Sequence, residues 1–142
     1  MSGKVLLIDD EQNFMDVLAE RMSYRDIDAT TVTSAEEGLG LVASNAYDAI
    51  ILDLQMPGMN GLEALERLKE MKPDLQVILL TGYATEEAGE RALKLGASEF
   101  LEKPANIQLL AHKIREAHAR KIILVEKENE EKIRALLESK SR

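Results

Sequence analysis

The chain has no cysteine and no tryptophan, three prolines, and only 4% aromatic residues among its 142 positions. Without thiols there is no disulfide framework and no thiolate metal site, so the metal chemistry left open is that of oxygen and nitrogen ligands. Long apolar runs are missing as well. None approaches the length of a membrane span, and the run Val5–Ile8 after Lys4 is too short for the apolar segment of a secretory signal. A cytoplasmic location and no membrane partner are expected. An excess of basic charge is also lacking: residues 1 to 120 carry 21 acidic and 12 basic side chains, a balance of −9, whereas residues 121 to 142 carry 5 acidic and 6 basic. An acidic body is repelled by phosphate backbones, so direct nucleic-acid binding by this chain is not expected.

What is present suits a folded protein, with 45% apolar and 31% charged residues. The length allows one domain with a real core plus an appendage, which we place at residues 1–120 and 121–142. Three apolar runs, Val5–Ile8, Ala49–Leu52 and Val77–Leu80, are too short for helices and are continuous rather than alternating. That pattern predicts strands covered on both faces, as in a parallel sheet. The more polar, β-branched stretch Ile27–Val32 suits an edge strand.

Helical spacing fills the gaps: Phe14, Leu18 and Met22, then Leu62, Leu65, Leu68 and Met71, then Ala88, Ala92 and Leu95. Ser34 followed by Glu37 forms a capping-box pattern at the start of another helix. Gly96 marks a helix end, Glu99 to Leu101 a fifth strand, and Pro104 or Ala105 the start of the last helix, with Ile107, Leu110, Ala111 and Ile114 facing the sheet. The sum is a fivefold (βα) repeat, an α/β fold that right-handed crossovers turn into a doubly wound parallel sheet. Nothing breaks the last helix before the end. Along it Ile122, Val125, Asn129, Ile133 and Leu136 form a rough stripe, read either as a helical homodimer seam or as a solvated face.

Ligands of open α/β sheets bind beyond the carboxyl ends of the strands. There the sequence places Asp9 and Asp10 after the first strand, Asp53 after the third, Thr81 at the fourth and Lys103 after the fifth. Each alone has a plain structural reading: Asp10 as a helix cap, Asp53 or Thr81-Gly82 as turn formers, Lys103 as a rim lysine. Three carboxylates converging on one edge, however, repel one another unless a cation offsets them. Oxygen ligands without cysteine or nearby histidine favour a hard ion, Mg2+ with Mn2+ as the alternative, and magnesium points to phosphate chemistry.

Four separated segments, Asp9-Asp10, Asp53 to Gly61, Thr81-Gly82-Tyr83-Ala84 and Phe100 to Pro104, resemble the receiver domains of two-component response regulators over about residues 4 to 120. The resemblance implies a flavodoxin-like sheet of strand order 2-1-3-4-5. It implies a phosphorylation switch rather than an enzyme, fed by a sensor histidine kinase or histidine phosphotransfer protein. Asp53 would be the nucleophile, Asp10 a direct magnesium ligand, Asp9 a ligand mostly through water, and the Gln55 carbonyl a further ligand. Lys103 would neutralise a phosphoryl oxygen. Thr81 and Phe100 look like a switch pair that reshapes the face made by the fourth helix, fifth strand and last helix. The weakly apolar segment from Ala84 to Leu95 suits a movable element. Gln55 and Tyr83 would tune hydrolysis of the phosphoryl group, and the Lys103-Pro104 bond is expected to be cis.

Rival chemistries fit less well. A haloacid-dehalogenase-type phosphatase would want an acid where Gln55 stands, a flavodoxin's phosphate cradle is replaced by Asp9, Asp10 and Glu11, and no GxxxxGK[ST] loop is present. A non-enzymatic dimerisation scaffold is the stronger rival, disfavoured because it has no use for costly like charges. His112 and His118 are read as surface residues, Tyr24, Tyr47 and the methionines as packing residues.

Overall fold

The computed structural model describes residues 3–140. Strands β1 (Gly3–Ile8), β2 (Ile27–Val32), β3 (Ala49–Leu52), β4 (Val77–Thr81) and β5 (Glu99–Glu102) alternate with helices α1 (Gln12–Ser23), α2 (Ala35–Ser44), α3 (Gly61–Met71), α4 (Glu86–Lys94) and α5 (Ile107–Lys140). Every neighbouring pair of strands is parallel, and their order is β2-β1-β3-β4-β5, the flavodoxin-like arrangement. The central strands carry continuous apolar runs, Val5–Ile8, Ala49–Leu52 and Val77–Leu80, because both faces are covered. Leu6, Ile8, Ile50, Leu52, Val77 and Leu79 pack under α2, α3 and α4. Their alternates Val5, Leu7, Ala49, Ile51, Ile78 and Leu80 pack under α1 and α5. Strand β2 lies at the edge, with Ala29, Thr30 and Thr31 half-buried.

The helix ends follow local chemistry. Ser34, Asn60 and Thr85 cap α2, α3 and α4, each accepting a hydrogen bond from the backbone N–H three residues on. Helix α4 ends in a Schellman motif: Ala97 N donates to Ala92 O, Gly96 N donates to Leu93 O, and Gly96 sits at φ +101°. The last helix begins later than Pro104 or Ala105, because the Asn106 side chain accepts hydrogen bonds from Gln108 N and Leu109 N and so sets the start at Ile107. Met71 and Tyr24 are surface residues rather than packing residues, 41% and 78% exposed, with Ala64 taking the buried place on α3.

His118 is not a simple surface residue either. Its Nδ1 lies 2.6 Å from Asp48 Oδ1, and Asp48 also accepts the Lys4 backbone N–H at 2.8 Å. Lys121 reaches the same carboxylate at 3.7 Å and donates to Tyr47 O at 3.1 Å. This clasp ties α5 to the amino ends of β1 and β3. Beyond it, every residue from Val125 to Lys140 is exposed, so the helix leaves the body and runs free for roughly four turns.

Burial works against the Asp48 charge, but the Lys4 N–H, His118 and Lys121 outweigh it and hold this carboxyl below its ordinary 3.8. Asp48 therefore stabilises the fold fully above the unfolded value, and that contribution is lost as pH falls through the lower folded value. Asp48→Asn is expected to cost about 1–3 kcal/mol near neutrality by leaving donors unmatched. The deficit against wild type should shrink in denaturant titrations carried below the ordinary 3.8. A deficit independent of pH would contradict this.

Candidate functional site

Register brings the acids together. Ile8 pairs with Leu52, so Asp9 and Asp53 leave adjacent strands at the same level, with Asp10 one residue on. One oxygen from each of Asp9, Asp10 and Asp53 lies within 4.8 Å of the others. Asp9 and Asp53 are each 5% exposed, whereas Asp10 faces solvent and caps no helix. Gly61 lets the start of α3 approach this end of β3, for a Cβ there would overlap Asp53 O and Leu54 Cα.

The countercharge arrives from β5. Lys103 Nζ lies 2.7 Å from Asp9 Oδ2, 3.4 Å from Asp53 Oδ2 and 3.7 Å from Glu11 Oε1. The same ammonium sits 4.3 Å from the centre of the Phe14 ring, which shields it from water. Glu11 and Phe14 were not among the expected site residues. Glu11 could have been suspected as the third acid of Asp9-Asp10-Glu11, but a ring on α1 facing a lysine after β5 leaves no mark in local sequence.

One ammonium does not balance three carboxylates: Asp9, Asp10 and Asp53 with Lys103 leave two net negative charges. Unit charges about 5 Å apart repel by about 3 kcal/mol at an effective dielectric of about 20. The strain shows at Asp9, whose carboxyl is pushed up by burial and by Asp53, against the pull of Lys103 and the Glu11 N–H. Lys103 is held protonated, because its contacts with Asp9, Asp53 and Glu11 outweigh its own burial.

The remaining expected residues surround this cluster. Asp53 Oδ1 accepts the Gln55 N–H at 3.3 Å, and the exposed Gln55 lines a depression of about 340 Å³ with Asp10, Met56 and Pro57. Thr81 is fully buried, and its hydroxyl accepts the Tyr83 N–H at 3.2 Å. Phe100, half-buried, pairs with Leu79, and Thr81 pairs with Glu102. Strand alternation thus puts the Thr81 and Phe100 side chains on one face, two residues apart along neighbouring strands. Tyr83, 63% exposed, lines with Gln55 a groove of about 740 Å³ between α3 and α4. Asp9, Asp10, Asp53 and Lys103 are therefore brought together and Gln55 joins them through its N–H, while Thr81 is hydrogen-bonded to Tyr83 and Phe100 packs against α4. The Lys103-Pro104 peptide is cis, as expected.

The response regulator receiver domain family matches residues 5–115. The chain belongs to this family. Among curated relatives, it is 33% identical over 108 residues to the photosynthetic apparatus regulatory protein RegA of Cereibacter sphaeroides, a match covering 76% of this chain and 59% of RegA. It is 36% identical over 100 residues to the response regulator SaeR of Staphylococcus aureus, covering 70% of this chain and 43% of SaeR. The chain thus spans about half the length of the curated relatives it matches. A receiver domain structure from Clostridium thermocellum superposes with a TM-score of 0.82 at 33% identity, covering 86% of this chain and 98% of that one.

The receiver is a signalling domain of two-component systems whose general function is phosphorylation switching, not a classical enzyme. Receivers bind Mg2+ at an acidic pocket, and the donor set here fits one: oxygen ligands only, two uncompensated negative charges, and one carboxylate open to water.

This electrostatics gives a direct expectation. Asp10 has no hydrogen-bond or ion-pair partner among the described residues, so Asp10→Asn should raise the melting temperature of the metal-free protein by relieving repulsion. It should also remove the stabilisation that millimolar Mg2+ gives wild type, about 1.4 kcal/mol at ten times the dissociation constant. Equal Mg2+ stabilisation of both proteins in thermal melts would contradict the charge reading.

Proposed function

We propose that this receiver accepts a phosphoryl group on Asp53 from the phosphohistidine of a sensor histidine kinase or histidine phosphotransfer protein. The observation that carries the reading is the pair of contacts from Lys103 to Asp9 and Asp53 inside a cluster that still holds two excess negative charges. An Asp53 carboxylate oxygen attacks phosphorus, the P–N bond breaks, and the departing imidazole nitrogen takes up a proton, leaving an acyl phosphate. Lys103 stays charged and meets a phosphoryl oxygen, which supports alignment and charge stabilisation, the main needs of phosphoryl transfer. Asp9, Asp10, Asp53 and the Gln55 carbonyl would hold the divalent cation, which supplies further positive charge to the phosphoryl oxygens when bound.

In this reading Thr81 turns its hydroxyl from the Tyr83 N–H to the new phosphoryl oxygen, and Phe100 moves inward on the same face. The α4-β5-α5 face changes in response. Helix α4 suits this role, since Ala92 is its only buried residue. Gln55 and Tyr83, at the mouth of the site, tune hydrolysis by controlling the approach of water. We place the protein in the cytoplasm, and among the described residues no helix is long and apolar enough to cross a membrane.

The free part of α5 supports a second element of the proposal, pairing with another copy through an extension over residues 121–142, of which 141 and 142 lie outside the described residues. Ile122, Val125, Ile133 and Leu136 are 45%, 46%, 58% and 63% exposed. With 5 acidic and 6 basic residues, the extension carries none of the charge that would drive two bodies apart. Sedimentation of the full chain is expected to show a dimer that Ile133→Glu together with Leu136→Glu dissociates. An unchanged sedimentation coefficient in that variant would remove the tail from the interface.

Labelling by a small acyl phosphate with Mg2+ tests the phosphoacceptor assignment. Wild type is expected to be labelled with one phosphoryl group per chain, and Asp53→Asn to lose at least about a hundredfold in labelling rate. Equal labelling of that variant would refute it.

A further inference from the structure

Helix α4 contains a glycine where the helix itself has no use for one. Gly89 lies in the middle of Glu86–Lys94, and Gly there costs a helix about 0.5–1 kcal/mol relative to Ala. The space above it explains the residue. A Cβ at Gly89 would stand 3.2 Å from Phe100 Cδ2, tighter than carbon atoms normally pack, with Cε2 at 3.4 Å and Cγ at 3.7 Å in ordinary contact. The Phe100 ring therefore lies in a shallow notch beside position 89, and a methyl group there would require the ring to give by a few tenths of an ångström. By contrast, a Cβ at Gly40 or Gly82 would meet nothing within 4 Å.

We propose that Gly89 is a positioning residue for the switch: its missing side chain gives the Phe100 ring a resting place against α4, and filling that notch drives the ring toward Thr81. This rests on the Thr81–Phe100 reading of the previous subsection and adds the element that holds the resting state. The direction follows from the surroundings. Phe100 is half-buried on the α4 face of the sheet and is backed by Leu79, its strand partner. Thr81 lies two residues further along that strand on the same face, one strand step from the ring. A two-state ring responds to any change that penalises one position only, so a single methyl group is enough to shift its population.

The sequence makes the test simple, because Phe14 and Phe100 are the only two phenylalanines. The full chain labelled with fluorophenylalanine gives two fluorine resonances, and Phe100→Leu identifies which belongs to the switch ring. Beryllofluoride with Mg2+, a phosphoryl mimic, defines the resonance position of the occupied state. In Gly89→Ala without beryllofluoride, the Phe100 resonance is expected to move part-way to that position, and labelling by a small acyl phosphate to quicken by roughly threefold. Alanine is a better helix former than glycine, so folding is not at risk. That same property could quicken labelling by stiffening α4, and the Phe100→Leu background separates the two causes: the gain should vanish there.

A Phe100 resonance that stays in place or moves away from the beryllofluoride position in Gly89→Ala overturns the inference, as does a gain that survives in Phe100→Leu. A wild-type resonance that ignores beryllofluoride sinks the switch reading and this inference together. A responsive wild type with an inert Gly89→Ala sinks the inference alone.

Discussion

The ammonium of Lys103 between the carboxylates of Asp9 and Asp53 is the contact on which the site depends. Two buried acids at neighbouring strand ends would otherwise face each other across a low-dielectric rim, and such pairs neutralise or move apart. The lysine reaches them along the rim from the edge strand β5, two strands beyond β3, and Phe14 covers its charge from solvent. Yet one positive charge is too few. The uncompensated remainder, open to water at Asp10, is what suits the rim to a cation, and it underlies the proposal that a phosphoryl group is held there.

The two ends of the sheet divide the work. At the carboxyl end, charge is concentrated and only partly balanced, so a ligand changes the energetics there. At the amino end, Asp48 is matched by the Lys4 N–H, His118 and Lys121, which fixes the point where α5 leaves the body. A change that reaches α5 by way of β5 therefore meets a helix packed on the sheet through its first half and exposed from Val125 to Lys140. Between these ends α4 is lightly packed, and its glycine makes room for the aromatic ring.

Much of this was legible from residue order. The continuous apolar runs and helical spacing marked the five (βα) units, and the strand-end rule placed Asp9, Asp10, Asp53, Thr81 and Lys103 at one rim, because strand ends in a parallel sheet share one side. The strand order came from the family resemblance rather than from periodicity. What could not be read were pairings made only by tertiary approach: His118 with Asp48, 70 residues apart, Phe14 over Lys103, and Phe100 in the space left by Gly89. The start of α5 was misplaced for a local reason, since Pro104 suits a first helical turn but the Asn106 cap overrides it. Tyr24 and Met71 show the limit of residue type alone, as both are apolar enough for a core and both face solvent.

The central claim is that one carboxylate of the cluster, and not its neighbours, becomes esterified. Treating the full chain with a small acyl phosphate and Mg2+, reducing the acyl phosphate with borohydride and sequencing the peptides by mass spectrometry reads this directly, since the modified aspartate becomes homoserine. Homoserine at position 53 alone, absent when the donor or Mg2+ is omitted, is the expected result. Homoserine at position 9 or 10, or no conversion at all, would contradict it.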